Sequence, residues 1–298
     1  MLFENVTIIG VGLIGGSLAR ALRRGSLCSH ITGYGRREEH LRRAVELGVI
    51  DDYDTDIREA VAAADLVVLA TPLSTTEGLL RVMAPALKKD AVITDVGSAK
   101  GAVAAAAEKT LGDHLDRFVP GHPIAGTEES GVEHSFAELF DDHLVILTPL
   151  SQNDPGTVER IRMMWERCGA RVVSTDLSHH DRVLAATSHL PHMLAYALVH
   201  CLAAMEEREE IFRYAAGGFR DFTRIASSSP EMWHDICLAN REQLLRVLDE
   251  FQQHLDGVRQ AMEANDGARL QAIFTRAKQA RDGFLQARGG QAALDTEE

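Results

Sequence analysis

A glycine-rich motif close to the N-terminus constrains the fold more than any other feature of the chain. The β-branched run 5–9 ends in Gly10-Val11-Gly12, and Gly15 opens an alanine-, leucine- and arginine-rich pattern typical of a helix. In such a motif the first glycine permits a tight turn, the second lets backbone amides approach a pyrophosphate, and the third allows the helix to pack closely on the strand. The motif predicts that a dinucleotide contacts Gly10, Gly12, Leu13, Ile14 and Gly15.

The context of this motif favours a cofactor site over a merely structural glycine turn. Protein kinases have a similar glycine-rich pattern between antiparallel strands, so the glycines alone do not identify a dinucleotide-binding fold. Here the helical pattern Ser17 to Arg24 and a second β-like run, Ile31 to Gly35, complete a βαβ unit of about 30 residues. This arrangement is typical of a nucleotide-binding domain.

The residues after the second β-like run bear on which cofactor is bound. NAD-binding folds place an acidic residue there for the adenosine ribose, whereas this chain has Gly35 followed by Arg36 and Arg37. Two guanidinium groups can grip a 2′-phosphate, so NADP is favoured over NAD, and use of both stays open. The alternative is that both arginines begin a solvated helix beside acidic neighbours. Further candidates for cofactor contacts, or for a plain strand-ending turn, are Thr71, Pro72 and Ser74.

Length, charge and cysteine usage narrow the class of protein. At 298 residues the chain is expected to form two domains, and a formal net charge of −13 argues against generic binding of nucleic acid or of anionic membranes. The four cysteines are widely spaced, which indicates reduced thiols. The N-terminus lacks the basic region of a secretory signal, and no apolar stretch reaches the length of a membrane helix. We expect a cytoplasmic protein with small-molecule ligands.

The order of apolar patterns predicts the domain organisation. Strand-like runs alternate with helical ones over residues 1–175, which predicts an α/β, Rossmann-type, doubly wound and mostly parallel sheet. An all-helical domain is expected over 176–288, with a polar tail over 289–298. Its apolar stripes, such as Leu244, Leu248 and Leu255, fit either a homodimer interface or burial in the monomer. The predicted strands are Val6 to Ile9, Ile31 to Tyr34, Leu66 to Ala70, Ala91 to Asp95, Phe118 to Gly121, Leu144 to Leu147 and Arg171 to Ser174, and the long helices are His179 to Glu206, Pro230 to Glu263 and Ala268 to Gln286.

Two polar segments follow predicted strands and fall at the carboxyl edge of the sheet, where cofactor and substrate meet in such folds. They are residues 94–101, which contain Ser98 and Lys100, and residues 120–128, which contain His122 between Gly121 and Pro123. His122 is expected in a stiff loop, where a neutral imidazole is a natural acceptor of a hydroxyl proton. The alternative is a purely structural histidine.

The helical part adds two further candidate segments. Pro191 falls inside a helical pattern between His189 and His192, so a disturbance of the helix near a pocket is expected. A zinc site made of these histidines with His179 and His180 lacks a supporting Cys or acidic ligand pattern, and no metal is predicted. The segment 217–224 carries Arg220 and Arg224 after two glycines, which suits carboxylate capture or a solvated surface.

Taken in order, these segments closely resemble the prephenate/arogenate dehydrogenase (TyrA) family of tyrosine biosynthesis. The resemblance covers nearly all of the chain, and its four motifs beyond the glycine turn are highly specific in this order. They are Asp-Val-Gly-Ser-Ala-Lys-Gly at 95–101, Gly-His-Pro-Ile-Ala-Gly-Thr-Glu at 121–128, Ser-His-Leu-Pro-His at 188–192 and Gly-Phe-Arg-Asp-Phe-Thr-Arg-Ile-Ala at 218–226.

The resemblance implies oxidative decarboxylation with hydride transfer to NAD(P), in a cleft between a nucleotide-binding domain and a helical dimerisation domain. It implies that His122 accepts the proton of the ring C4 hydroxyl, that Ser98 orients this hydroxyl and the imidazole, and that Arg224 anchors a substrate carboxylate. The further substrate-binding residues that it implies are His192, Thr127, Ser188, Glu128 and Asp221.

Some features depart from the family or leave alternatives. Many members carry aspartate where this chain has Gly35, so NAD dependence is not inherited. A β-hydroxyacid dehydrogenase joins the same two kinds of domain but has a catalytic lysine in the helical one, where this chain offers Lys278 near the C-terminus. A non-catalytic NADP-sensing protein is the alternative from another class. Prephenate and arogenate differ by a keto versus an amino group, and both stay open as substrates.

Overall fold

The computed structural model describes residues 1–127 and 129–294, with side chains described in 1–127 and 129–286. The strands are β1 Asn5–Ile9, β2 His30–Tyr34, β3 Asp52–Asp54, β4 Leu66–Leu69, β5 Val92–Asp95, β6 Phe118–Val119, β7 Gly121–Pro123, β8 Leu144–Leu147 and β9 Arg171–Ser174. The α-helices are α1 Leu13–Arg24, α2 Glu38–Glu46, α3 Ile57–Ala62, α4 Thr76–Met83, α5 Lys100–Thr110, α6 Pro155–Arg167, α7 Leu177–Leu184, α8 Leu190–Ala203, α9 Arg208–Arg213, α10 Gly217–Thr223, α11 Pro230–Ala239, α12 Arg241–Glu263 and α13 Gly267–Leu294.

The first sheet is parallel throughout and has six strands in the order β3-β2-β1-β4-β5-β6. Successive residues of its central strands enter two different hydrophobic clusters, because side chains alternate between the faces of a strand. Ile8 and Val68 belong to one cluster, and Ile9 and Val67 belong to the other. Both faces are therefore covered, which confirms the predicted Rossmann-type sheet. The strand order reverses between β1 and β4, and ligands bind at such a point in folds of this class.

The chain leaves this sheet at Pro120. Proline lacks the amide hydrogen that a central ladder needs, so the run predicted as one strand, Phe118 to Gly121, is divided into β6 and β7. The Pro120 carbonyl accepts a hydrogen bond from the Thr148 amide at 2.9 Å. Beyond it, β7 pairs antiparallel with β8, and β8 pairs parallel with β9, in a second sheet of three strands. The loop predicted for His122 is also wrong, because His122 lies in β7 opposite Ile146.

Two of the predicted long helices are interrupted in the structure, one ahead of Pro191 and one at Asn240. Ahead of Pro191, the α-helical ladder is replaced by a π-helical turn, Ala185–His189, so the predicted disturbance at this proline is confirmed. The helix predicted over Pro230 to Glu263 is divided into α11 and α12 at Asn240, which has φ −108° and ψ 29°. Asparagine side chains hydrogen-bond nearby backbone groups and so favour helix ends over helix interiors.

The chain forms two compact units, Met1–Leu244 and Leu245–Glu298. The first contains both sheets and helices α1 to α11, and the second contains most of α12 and all of α13. The domain boundary expected between residues 175 and 176 stays a prediction, and α13 continues to Leu294 through part of the expected polar tail. Within the described residues, no helix combines the length and apolarity needed to cross a membrane.

Candidate active site

The glycine motif forms the turn between β1 and α1, and its three glycines have different surroundings. Gly10 has a φ of +96°, and a Cβ there would lie 2.5 Å from the Ala70 carbonyl oxygen. A Cβ on Gly15 would lie 2.2 Å from the Gly10 carbonyl oxygen, so neither position accepts a side chain. At Gly12, by contrast, a Cβ would meet no atom within 4 Å. This open space at the N-terminus of α1 fits a phosphate group of a dinucleotide, since the helix end presents unpaired amides.

A cleft of about 510 Å³ opens at this turn, beside the carboxyl ends of β1, β2 and β4. Its volume falls within the range of small-molecule pockets, about 300 to 1,000 Å³. The predicted cofactor residues that line it are Gly10, Gly12, Gly35, Arg36, Arg37, Thr71 and Pro72. The other predicted cofactor residues lie elsewhere: Leu13 and Ile14 pack against the hydrophobic core, Gly15 is buried in α1, and Ser74 contacts α11.

Arg36 and Arg37 are exposed and line this cleft directly after β2. The alternative interpretation rests on two acidic neighbours, of which Glu39 lies 3.8 Å from His40 Nε2 and Glu38 is engaged elsewhere. The Glu38 carboxylate accepts hydrogen bonds from Arg42 at 2.9 Å and from the Tyr53 hydroxyl at 3.0 Å. Among the described residues, neither Arg36 nor Arg37 forms an ion pair with a carboxylate. Both guanidinium groups therefore remain available to an anion in the cleft.

Ser74 lies in a 3₁₀ turn, Leu73–Thr75, that follows β4 and is held by α11. Its amide donates to Oδ2 of Asp235 at 3.2 Å, and its hydroxyl donates to the same oxygen. These hydrogen bonds lower the pKa of Asp235 below its ordinary value, so the carboxylate is ionised at neutral pH. The contact, which we call the Ser74–Asp235 contact, joins a turn beside the cofactor cleft to a helix of the helical part.

A buried ion pair fixes the backbone in front of His122. The ammonium group of Lys100, at the start of α5, donates to Oδ2 of Asp95 at the end of β5, and both side chains are at most 3% exposed. Lys100 Nζ also donates to the Gly121 carbonyl at 2.6 Å, while Asp95 Oδ1 accepts from the Gly121 amide at 3.2 Å. Burial lowers the pKa of Lys100, and the Asp95 carboxylate acts against this shift. Because both peptide groups of Gly121 are held, the position of the next residue is fixed.

His122 is buried, with 9% of its surface exposed, and one of its ring nitrogens is engaged. Its Nδ1 lies 2.9 Å from Nε2 of His180 on α7, and the two rings meet edge to face at 62°. Burial lowers the pKa of His122 well below 6.5, and the positive charge of Lys100 acts in the same direction. His122 is thus a neutral imidazole at physiological pH, and its Nε2 has no hydrogen-bond partner among the described residues.

Asp181, next to His180 on α7, connects this histidine to the N-terminus of α5. Its Oδ1 lies 2.8 Å from His180 Nδ1 and accepts the Lys100 amide at 2.8 Å, while its Oδ2 accepts the Gly101 amide at 2.8 Å. Burial alone would raise the pKa of Asp181, but the hydrogen bonds from His180, Lys100 and Gly101 outweigh it and the pKa is lowered. An ionised carboxylate therefore caps α5 in place of a side chain from its own N-cap residue, Ala99.

The π-helical turn and the helices beside it bring further rings together. His189 is fully buried with its Nδ1 3.1 Å from the Asn240 side-chain amide, and burial lowers its pKa to about 4. The His192 ring stacks on Trp233 of α11 with centroids 3.7 Å apart. Its Nδ1 lies 2.8 Å from the Ser188 carbonyl oxygen. A carbonyl only accepts, so Nδ1 carries the proton and Nε2 of His192 is left to accept a hydrogen bond from a ligand.

The remaining predicted site residues that the structure describes are half-buried or exposed. Ser98 is half-buried in the loop between β5 and α5, and Thr127 is exposed and accepts the Glu129 amide at 3.2 Å. Neither hydroxyl bonds to His122 among the described residues. Asp221 in α10 and Arg224, which begins the 3₁₀ turn Arg224–Ser227, are both exposed. Glu128 lies outside the described residues.

Sequence reasoning missed several side chains that complete the site. They are Asp95, Lys100, His180, Asp181, Asn240 and Trp233. Asp95 and Lys100 belong to the polar segment 94–101, which was identified from the sequence. Asp95 ends a predicted strand and Lys100 follows it closely, so the sequence could have indicated that both side chains are buried. His180 was considered only as a metal ligand. Its partner His122 is distant in sequence, and local pattern cannot supply such a pairing.

Comparison with known proteins bears on this site. The prephenate dehydrogenase family matches the chain twice, through its nucleotide-binding domain over residues 18–174 and its dimerization domain over residues 176–276. The cyclohexadienyl dehydrogenase of Zymomonas mobilis is 43% identical over 283 residues, which are 94% of this chain and 95% of that protein.

Two solved structures are also similar over nearly the whole chain. Prephenate dehydrogenase from Aquifex aeolicus, in complex with hydroxyphenyl propionate and NAD⁺, has a TM-score of 0.88 and 38% identity, covering 94% of this chain and 98% of that one. The Synechocystis arogenate dehydrogenase has a TM-score of 0.80 and 29% identity, covering 94% and 100%. Because both domains match in order and relatives are similar along almost their full lengths, the chain belongs to the prephenate dehydrogenase family of oxidoreductases.

Proposed function

We propose that this oxidoreductase catalyses the oxidative decarboxylation of prephenate to 4-hydroxyphenylpyruvate, of arogenate to tyrosine, or of both. The observation that carries the proposal is the buried, neutral His122, whose Nδ1 is held by His180 and whose Nε2 is left for a substrate. It stands at the carboxyl edge of β5 through the Asp95–Gly121 hydrogen bond, and β5 neighbours β4, which borders the cofactor cleft. This geometry supports a base and a dinucleotide at the same edge of the sheet.

In the proposed reaction, His122 and Ser98 each have a defined role. When bound in the cleft, a nicotinamide cofactor would supply the acceptor for the hydride of the ring C4. His122 Nε2 takes the proton of the C4 hydroxyl, with Ser98 orienting this hydroxyl, and the carbonyl forms. The bond from the ring to its carboxylate then breaks, carbon dioxide leaves, and its electron pair completes the aromatic ring. His122 returns the proton to the phenolate oxygen, so the reaction releases no net proton.

The substrate carries one carboxylate on the ring and another on its side chain, and we assign recognition to groups around the base. Arg224 pairs with a carboxylate, since a planar guanidinium binds it through two parallel hydrogen bonds. The acceptor Nε2 of His192 suits a hydrogen-bond donor of the substrate, such as the ammonium group of arogenate, and not a carboxylate. The further proposed substrate contacts are Thr127, Ser188, Glu128 and Asp221.

The alternatives have less support. The single lysine of the helical part, Lys278, lies in α13 and forms an ion pair with Asp282, with 77% of its side chain exposed. A lysine in such a position is a poor candidate for the base that a β-hydroxyacid dehydrogenase requires. A non-catalytic NADP-sensing protein would not need a desolvated base in front of the cofactor. Both family matches are to a dehydrogenase.

The proposed reaction is tested by steady-state kinetics with prephenate and arogenate against NAD and NADP. We expect absorbance at 340 nm to rise with at least one pair, and the product to be the matching 4-hydroxyphenyl compound. Turnover in the range of about 1 to 10³ s⁻¹ would be ordinary for an enzyme. Cofactor binding without any absorbance change for either substrate would instead identify the NADP-sensing alternative.

We further propose NADP as the preferred cofactor, with Arg36 and Arg37 binding its 2′-phosphate. In the Arg36→Ala/Arg37→Ala variant, kcat/KM for NADP should fall by about 10²- to 10⁴-fold, since each of the two charge-assisted hydrogen bonds contributes about 1.5 to 3 kcal/mol. The same value for NAD should stay within about twofold, because NAD lacks the phosphate. Gly35→Asp should add repulsion and shift preference further towards NAD.

Arg42→Ala is the matched control for this cofactor prediction. Arg42 is exposed on α2, pairs with Glu38 and does not line the cleft. We expect the parent preference in this variant. An Arg36→Ala/Arg37→Ala enzyme that keeps its NADP efficiency would contradict the assignment of the 2′-phosphate site and leave the proposed reaction intact.

Homodimerisation and a cytoplasmic location complete the proposal. The match to a dimerization domain over 176–276 supports a dimer. Within the unit Leu245–Glu298, large apolar side chains are exposed, namely Leu245, Leu255, Met262, Phe274, Phe284 and Leu285. A second copy would remove such surface from water. The free thiols of Cys28, Cys168, Cys201 and Cys237 fit a reducing compartment.

A further inference from the structure

We infer that His180 and Asp181 act behind His122 as positioning residues that select its reactive tautomer and stabilise the proton it receives. The inference rests on the proposed dehydrogenase reaction and extends it to residues outside the substrate pocket. The juxtaposition that carries it is a continuous chain of hydrogen bonds, His122 Nδ1 to His180 Nε2 at 2.9 Å and His180 Nδ1 to Asp181 Oδ1 at 2.8 Å.

The direction of each hydrogen bond in this series follows from its last member, Asp181. The Asp181 carboxylate is ionised and only accepts, so His180 Nδ1 carries a hydrogen and donates it. The 2.9 Å contact between His122 Nδ1 and His180 Nε2 needs one hydrogen, and because the ring hydrogen of His180 is on Nδ1, His122 Nδ1 supplies it and His180 Nε2 accepts it. His122 therefore has its hydrogen on Nδ1 and its lone pair on Nε2. This is the tautomer that a general base needs when Nε2 faces the substrate hydroxyl.

The same chain stabilises the charge that appears during the reaction. When His122 Nε2 takes the hydroxyl proton, the positive charge forms in a buried place where the ammonium group of Lys100 opposes it. Transfer of the hydrogen from His122 Nδ1 to His180 Nε2 moves this charge next to the Asp181 carboxylate. One proton has then entered at Nε2 and one has left Nδ1, and reversal of both steps returns the proton to the phenolate oxygen.

The charged groups around the pair support this direction of transfer. The other buried carboxylate in the network, Asp95, is occupied by Lys100. Asp181 receives two backbone amides from α5 as well as His180, and its backbone carbonyl accepts the Asn240 side chain at 2.7 Å, so it is held from three sides. Both ring nitrogens of His180, which is 1% exposed, are used within the chain. A carboxylate held so firmly needs little reorganisation when charge arrives.

Two substitutions of His180 separate positioning from proton transfer. In His180→Gln, the side-chain oxygen can still accept from His122 Nδ1 but cannot take a proton, and we expect kcat to fall by about tenfold. In His180→Leu neither role remains, and we expect a fall of about 100-fold. In both, KM should stay within about twofold, since His180 does not contact the substrate. The control is His179→Gln, an exposed neighbour on the same helix, which should keep the parent kcat.

A double-substitution cycle and a spectroscopic measurement make the test independent of overall stability. In a His122→Asn background, His180→Gln should lower kcat no further, because residues that act as a unit are not additive. Nitrogen-15 NMR of the histidine rings should find the His122 hydrogen on Nδ1 in the parent. In Asp181→Asn it should move to Nε2, whereas Asp176→Asn, which replaces the exposed N-cap of α7, should leave it on Nδ1.

Three results would overturn the inference: a His122 hydrogen on Nε2 in the parent, an unchanged kcat in both His180 variants, or a full additional loss in the His122→Asn background. The NMR measurement needs no substrate and remains decisive if His180→Leu does not fold. A parent protein that reduces neither NAD nor NADP with either substrate would refute the proposed reaction, and the tautomer result would still stand by itself.

Discussion

Substitution of His122 by asparagine is expected to lower kcat by about 10²- to 10⁴-fold, the usual contribution of a general base, while KM stays within about threefold. Asparagine preserves a polar side chain at a position that is 9% exposed, so the packing around β7 changes little. Its amide cannot accept a proton at neutral pH. The loss should therefore appear in turnover, measured by absorbance at 340 nm, and the melting temperature should stay close to that of the parent.

The role of His122 as a base also predicts the pH range in which activity falls. Burial and the neighbouring positive charge of Lys100 hold the pKa of His122 well below 6.5, so the base is neutral throughout the physiological range. The acid limb of kcat/KM should accordingly lie below pH 6.5 and vanish in His122→Asn. The same depressed pKa links folding to pH: the unfolded chain binds this proton more readily, so the free energy of unfolding falls as pH drops below 6.5.

His143→Asn is the control for removal of an imidazole nearby. His143 is exposed, directly precedes β8, and interacts through Nδ1 with the Asp141 carbonyl oxygen at 2.9 Å. Its substitution should leave both kcat and the acid limb unchanged. If His122→Asn turned over at the rate of the parent, another group would have to be the base.

Lys100→Met is expected to lower the free energy of unfolding by about 3 to 5 kcal/mol, because it leaves the carboxylate of Asp95 buried without its partner. Lys100 is fully buried and Asp95 is 2% exposed, so water cannot replace the lost ammonium group. The Gly121 carbonyl also loses its donor. Since that peptide precedes His122, kcat should fall even where the variant remains folded. Chemical denaturation measures the first effect and steady-state kinetics the second.

Two further variants test the origin of this loss. Lys109→Met removes an exposed lysine of the same helix that pairs with Glu77 at 2.8 Å, and it should change stability by no more than about 0.5 kcal/mol. The double variant Asp95→Asn/Lys100→Met should recover much of the lost stability, because no buried charge remains unpaired. Equal losses in Lys100→Met and Lys109→Met would show that burial of the pair is irrelevant.

The parts of the fold that were predictable from the sequence are those encoded by local pattern. The glycines at 10, 12 and 15 follow a β-branched run and precede a helical pattern, a combination typical of a strand–turn–helix connection, and the structure places them in that turn. The buried strand β4 is a continuous apolar run, which is typical of a parallel sheet covered on both faces. Such features need no knowledge of distant residues.

The features that were missed depend on long-range contacts or on small polar elements. Strand β3, Asp-Tyr-Asp, has no apolar alternation and owes its pairing to β2. Pro120 was visible in the sequence, but its effect, the transfer of the chain to a second sheet, depends on pairing of β7 with β8. The His122–His180 pairing joins residues separated by 58 positions. For these the sequence supplies the residue types and the tertiary fold supplies the partners.

The Ser74–Asp235 contact offers a physical link between binding of the dinucleotide and binding of the substrate. Helix α11 holds Asp235 against the turn beside the cofactor cleft and, two residues earlier, holds Trp233 against His192. A dinucleotide that displaces this turn must either break the hydrogen bonds to Asp235 or carry the indole with it. If binding of the dinucleotide changes the affinity for the substrate by some factor, binding of the substrate must change the affinity for the dinucleotide by the same factor.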